Sequence, residues 1–307
     1  MLRPAVRFGL GLPVVQQVPA RVMPWEAAAG PAEIERVARA ADRLGFAHVA
    51  CSDHPVVPVS RVEAMGATWY DPIATLAHVG GITERVELLT HVLVAAYRPP
   101  LVLAKSLATL DLLSRGRLVV GLGSGHLKPE FASLGADFEG RGAVTDEVVA
   151  VLVAAWTQSP ARHDGDRFRF RDLVLEPRPA RRPRPPIWVG GNSRRAVRRA
   201  ALLADGWIPW EIPDEQLRES IERAREWRAG AGREGTWEVV VPLGPIDLVG
   251  AARDAEGASR STHEVALDVE RLRGIGATRF HVAFHSRSCD ELVEQMEAFA
   301  SGVMEKT

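Results

Sequence analysis

Asp53 and His54 stand side by side in CSDHP, residues 51–55, where an apolar run ends. A carboxylate beside an imidazole can orient a proton and move it near neutral pH. His54 is therefore a candidate for hydrogen bonding or proton transfer to a bound ring; the other reading is a structural histidine satisfied by backbone. A second histidine, His126, closes GLGSGH, residues 121–126. A dinucleotide fingerprint needs G-x-G-x-x-G opening straight into a helix. Here the third glycine, Gly125, comes one place early and Pro129 delays the helix, so that reading is set aside. The glycines either let neighbouring helices pack closely or, as expected here, let a flat ring approach along Gly123, Ser124 and Gly125.

The third stretch is GGNSRR, residues 190–195. Asn192 or Ser193 can cap the helix that follows, and free amides at a helix start attract anions. Arg194 and Arg195 then fall in the first turn, where the helix dipole disfavours cations. A ligand phosphate near Gly190, Gly191, Asn192, Ser193 and Arg194 would explain them; arginines pointing into solvent are the alternative. Cys51, inside its strand, reads as a small buried residue rather than a nucleophile. The sequence carries no Ser/His/Asp elbow, Walker loop or HExxH, and no metal is expected.

These residues must be positioned by something, and the chain supplies a regular alternation. Apolar β-branched runs at 6–13, 47–54, 86–95, 117–125, 185–191, 205–210, 237–243 and 279–285 are each followed by a helical pattern. In 31–45, for example, Ile34, Val37, Ala41 and Leu44 recur at helical spacing, with Pro31 at the start and Gly45 at the stop. Eight strand–helix units predict a closed (β/α)8 TIM barrel over 1–307, an α/β fold in a single domain. Two segments fit no unit: about 160–185, expected to be a hairpin inserted after strand four, and about 244–262, a loop inserted after strand seven. In such a barrel the chemistry gathers at the carboxyl ends of the strands. There stand Asp53, His54, His91, Val92, His126, Gly190, Gly191, Trp207 and Trp210. Asp53 is the one acid in that set.

Composition narrows the classes. A net charge of −1 argues against a nucleic-acid partner, which calls for a basic surplus. Two cysteines build neither a disulfide framework nor a metal cluster. No run has the length of a signal peptide core or a membrane span, so a cytoplasmic protein acting on a small-molecule substrate is expected. Apolar helices at 71–82 and 99–114 leave room for a homodimer, although core packing explains them equally well.

Two long stretches, residues 97–135 and 185–207, closely resemble the bacterial luciferase-like superfamily, and within it the branch using the deazaflavin coenzyme F420. The resemblance runs from the first strand to about Trp210. It implies a TIM barrel binding a flavin-type cofactor, with Asp53 and His54 beside the ring. It also implies a cis peptide at His91–Val92 behind the ring, Gly123, Ser124 and Gly125 flanking it, and a phosphate turn at Gly190–Gly191. Glutamates that serve sugar-phosphate dehydrogenases of this family are missing, their places taken by GLGLP and His126. A sugar-phosphate substrate is thereby disfavoured, and His126 becomes a second candidate proton donor beside His54. The expected activity is hydride transfer between F420 and a small organic substrate. The alternatives are an FMN-dependent monooxygenase served by a separate flavin reductase, and a non-catalytic flavin-binding relative.

Overall fold

The computed structural model describes residues 6–249 and 260–307. The chain opens with β1 (Arg7–Gly11) and α1 (Pro31–Leu44), then β2 (His48–Cys51) with α2 (Val62–Met65) and α3 (Pro72–Ile82). The third barrel strand comes in two pieces, β3 (Glu87–Thr90) and β4 (Leu93–Val94), and leads to α4 (Pro100–Leu113). Strand β5 (Leu118–Gly123) is followed by α5 (Lys128–Ser133) and α6 (Arg141–Thr157), and then by an antiparallel hairpin, β6 (Ala161–Asp164) with β7 (Arg169–Leu173). The remaining units are β8 (Ile187–Gly190) with α7 (Arg194–Leu203), β9 (Gly206–Ile208) with α8 (Asp214–Gly230), β10 (Glu238–Ile246) with α9 (Thr262–Ile275), and β11 (Arg279–Phe284) with α10 (Cys289–Gly302).

All barrel pairings are parallel, and β3 pairs with β5 to close the ring of eight strands. The expected hairpin is present within 160–185. The seventh barrel strand runs further than anticipated, to Ile246, so the loop expected from 244 begins later; its residues 250–259 lie outside those described.

Local sequence explains the element ends. Pro31 opens α1, Glu33 accepts a hydrogen bond from the Gly30 amide at 2.7 Å, and Gly45 ends the helix at φ +81°. Asp71 caps α3 and Ser193 caps α7, each by accepting from the amide three residues on.

Side chains alternate strictly along the barrel strands, because successive residues of a strand face opposite sides. Val49, Leu88, Leu118, Val120, Ile187 and Val239 point outward and join the layer between barrel and helices. Their neighbours Ala50, Leu89, Val119, Trp188, Ile208 and Val240 form a separate apolar cluster inside the ring, with Val92 against it. The interior of β1, β2 and β11 is different. Gly9, His48, Arg279 and His281 meet there, and a Cβ on Gly9 would collide with the His48 ring. One half of the barrel core is thus hydrocarbon and the other half polar.

Candidate active site

Strand three breaks where the site is built. The His91–Val92 peptide is cis, as the resemblance implied. Around it the ladder is kept by substitutes: His91 N donates to Cys51 O at 2.8 Å, and Ser52 Oγ donates to His91 O at 3.0 Å. Thr90 Oγ1 both accepts from Gly121 N and donates to Gly121 O, each at 2.9 Å. The break swings Val92 into the barrel centre, and the strand-four glycines make room for it. A Cβ on Gly123 would stand 2.6 Å from Val92 Cγ2, and one on Gly190 would stand 3.1 Å from Cγ1. The space at these glycines is therefore filled by a side chain of the protein and not by packed helices.

Gly125, at φ +74°, lies where a Cβ would press on Phe131 and on Val94 Cγ1, 2.8 Å away. Ser124 Oγ accepts from Arg199 Nη1 at 3.2 Å and lies 3.1 Å from Thr145 Oγ1. Arg199, buried on α7, also bonds Asp146 and the Gly142 carbonyl, so it ties the loop after β5 to α6.

The largest departure from sequence expectation is a second acid. Glu130, fully buried on α5, receives a hydrogen bond at 2.9 Å from His54 Nδ1 and another at 2.7 Å from Tyr97 OH on the same oxygen. Burial alone would raise its carboxyl, but the bonds from His54 and Tyr97 outweigh it and hold Glu130 below the usual carboxylate range. An ionised carboxylate only accepts, so the proton of this contact sits on His54 Nδ1. Burial, then the hydrogen bond to Glu130 and its charge, push the Tyr97 phenol up, keeping it a donor. His54 packs edge-on against Trp69 at 4.4 Å and against exposed His126 at 5.8 Å. Burial and then the charge of His54 lower His126.

Asp53 does something different from its neighbour. Its oxygens accept from Arg98 at 2.7 and 2.9 Å and from the Val94 amide at 3.0 Å. Arg98 reaches on to Asp71 at 2.8 Å. At 3 % exposure Asp53 locks β4 and the loop after it in place. Cys51 is buried, and burial drives its thiol up to about 12, in keeping with a packing role.

His91 stacks on His281 at 4.3 Å and 18°, with Trp210 edge-on at 6.2 Å. Burial drops His91 to about 4. Asn192 clasps the Trp210 backbone through both ends of its amide. Gly191, at φ +117°, donates its amide to Ile208 O at 3.1 Å and accepts from Trp207 Nε1 at 2.8 Å. Trp207 is thus a fully buried strut stacked with Trp237, while Trp210, just past the end of the same strand, is exposed. Arg194 and Arg195 are exposed, without an ion pair among the described residues, and Arg194 lies 5.9 Å over the Trp227 ring. Ser193 uses its hydroxyl on the Ala196 amide and its carbonyl on that of Val197, leaving the amides of Arg194 and Arg195 for an acceptor from outside. No cluster of three or more His, Cys, Asp or Glu is placed to hold a metal, and no helix is long and apolar enough to cross a membrane, among the described residues.

Fold and site together define a (β/α)8 protein whose acid–base side chains gather at the carboxyl ends of the strands. Residues 7–282 match the model of the luciferase-like monooxygenase family, and the chain belongs to that family. It is 28% identical over 249 residues to the FMNH2-dependent dimethylsulfone monooxygenase of Pseudomonas putida, covering 79% of this chain and 65% of that one. The crystal structure of a monooxygenase from Streptomyces bottropensis superposes with a TM-score of 0.82 at 25% identity, covering 98% of this chain and 99% of the other. A coenzyme F420-dependent tetrahydromethanopterin reductase from Methanopyrus kandleri shares the fold at a TM-score of 0.76 and 17% identity, with 99% of both chains covered.

Proposed function

We propose that the protein is an F420-dependent oxidoreductase that transfers a hydride between the deazaflavin and a small organic substrate. The observation that carries this reading is the His54–Glu130 pair. With Glu130 holding the proton on Nδ1, the other nitrogen of a neutral His54 is a proton acceptor, and in the charged ring it is a donor. Moving a hydride to or from a carbon that bears oxygen calls for a proton at that oxygen, and His54 supplies or removes it. Tyr97, bonded to the same carboxylate oxygen, keeps Glu130 ionised through the cycle. His126 lies beside His54 and can pass the proton to water.

The residues present fit a phosphate-bearing flavin-type group. The first turn of α7, with Ser193, Arg194 and Arg195, suits its anionic tail, and the Val92 bulge gives its ring an apolar backing. Such a group supplies the hydride-carrying carbon; positioning, water exclusion and proton movement belong to the chain. The second reading, an FMN-dependent monooxygenase, is favoured by the relatives at 25% and 28% identity, both monooxygenases by name.

Titration with F420 and, separately, FMN, followed through quenching of tryptophan fluorescence, separates the two. F420 is expected to bind at least tenfold more tightly; tight binding of FMN alone would transfer the case to the second reading. Glu130→Gln and His54→Ala are each expected to lower kcat by about 10²-fold with little change in cofactor affinity, the usual scale for a positioned acid–base group. Turnover unchanged in both variants would take the His54–Glu130 pair out of the chemistry and overturn this reading.

A further inference from the structure

Beneath the mouth, in the polar half of the barrel core, four side chains form a chain of contacts that the proton-moving site does not use. Glu87 Oε2, at the amino end of β3, accepts from Arg279 Nη1 at 2.6 Å. Arg279 Nη1 lies 3.4 Å from His48 Nδ1, and His48 Nε2 lies 3.2 Å from His281 Nδ1. Arg279 and His48 are sealed off from solvent, at 1 % and 0 % exposure.

Taken alone, the contact between the two histidines has no direction. Either ring could donate, and the choice would leave His281 Nε2 as an acceptor or as a donor. Arg279 removes the ambiguity. A guanidinium has five N–H donors and no acceptor, so the His48 nitrogen facing it must accept. The proton of a neutral His48 is then on Nε2, which donates to His281 Nδ1. The proton of His281 is in turn on its own Nε2. That nitrogen lies 3.5 Å from where a Cβ of Gly11 would stand, at the carboxyl end of β1, and His281 is partly accessible there. Stacking on His91 holds the ring plane.

We propose that Arg279, acting through His48, fixes His281 as a permanent Nε2–H donor at the barrel mouth, and that this donor receives an acceptor oxygen of the bound ligand. The oxygen belongs to the cofactor ring or to a substrate carbonyl-type group, since either presents the same lone pair. Neutrality of both rings agrees with their surroundings. Burial and then the Arg279 cation hold His48 well below an ordinary histidine, and burial with His91 does the same for His281. The other charges packed around the chain are Arg181, 3.4 Å from Glu87, and Arg7, which bonds Glu238. Neither is hydrogen-bonded to an imidazole of the chain.

The test is a histidine-15N-labelled protein at pH 7, read by long-range proton–nitrogen correlation, which reports each ring's tautomer directly. Both His48 and His281 are expected as Nε2–H, with the His281 proton exchanging with water faster than that of His48. Arg279→Lys, which keeps a donor-only cation, should preserve both tautomers. Arg279→Gln, which offers a donor and an acceptor, should give a mixture. An Nδ1–H or cationic His281 in the unsubstituted protein overturns the proposal whether or not a variant folds. In the ligand arm, adding F420 or FMN should move the His281 Nε2–H signal if the cofactor supplies the oxygen. His281→Gln, which keeps a donor near the same place, should retain KM for substrate within about threefold, while His281→Leu raises it at least tenfold if the substrate supplies it. Equal losses in both variants, with the signal unmoved by bound cofactor, would reduce His281 to packing. The proposal rests on the flavin reading only in this ligand arm. The tautomer needs no cofactor, so a failure of F420 and FMN to bind would strike the preceding function and not the donor.

Discussion

Glu130 and Asp53 are the two carboxylates against the site, and their partners divide the roles. Asp53 spends both oxygens on Arg98 and the Val94 amide, whereas Glu130 holds a titratable ring, His54. Asp53 was legible from the sequence because it sits at a strand end. Glu130 was not, for a physical reason: an acid in the first turn of a helix opened by Pro129 is what the helix dipole favours anyway, so its type and place raise no question. Only the fold shows that α5 turns this side chain inward against His54 and Tyr97. The glycines carry a similar lesson. Their spacing rightly marked a close approach, but the partner is Val92, delivered by a break in strand three that VELLTHVLVA does not announce. A prediction follows at this scale. Gly123→Ala sets a Cβ 2.6 Å from Val92 Cγ2, and a β-branched side chain has little freedom to yield. The overpacking should cost about 1–3 kcal/mol, measured as a lower urea midpoint, and weaken cofactor binding because the bulge is displaced. A variant as stable as the parent would show that Val92 is not seated as described.

At the scale of elements, alternation of strand and helix patterns gave all eight barrel strands in order, because every strand is greasy on the face toward the helices and each helix is bounded by Pro, Gly or a capping side chain. The hairpin between α6 and β8 was equally visible from its alternating Arg and Phe. Its anchorage was not. Glu147 on α6 accepts from the amides of Arg167 at 3.1 Å and Phe168 at 2.7 Å, and from His163 Nε2 at 3.2 Å. One side chain thus holds the hairpin turn, while Arg167 reaches Asp137 on the loop before α6. The hairpin lies outside the ring, so its attachment and the barrel's stability should separate. Glu147→Ala is expected to speed proteolysis within 161–173 at least fivefold, while the thermal midpoint drops by no more than a few degrees, as for the loss of a few hydrogen bonds of about 1 kcal/mol each. Cleavage elsewhere, or a collapse of the whole transition, would show that the hairpin is part of the barrel's cooperative unit.

For the whole molecule, the consequence of a half-polar barrel core is a particular response to acid. Four of the nine histidines, His48, His91, His126 and His281, have their titration lowered, in each case chiefly by burial. A group that binds its proton less readily folded than unfolded favours the folded state while both forms are neutral. That advantage is complete above the unfolded value of about 6.5 and drains away as pH falls toward the folded value. For His91, at about 4 in the fold, the loss across that window amounts to about 3 kcal/mol. His48 and His281 add to it in the same direction, each facing the other, with Arg279 below and His91 above. Paired carboxylates such as Glu130 and Asp42 are also depressed, but their contribution is lost only below about 4.5, so the interval from pH 6.5 to 5 isolates the histidines. Unfolding free energy from urea titrations should therefore fall steeply through that interval, with proton uptake on unfolding of more than one. His91→Asn, which removes one titrating ring from the stack, should make the slope shallower by nearly one proton. A stability curve flat from pH 7 to 5 would mean that the imidazoles of the barrel core exchange protons with solvent as freely in the fold as out of it.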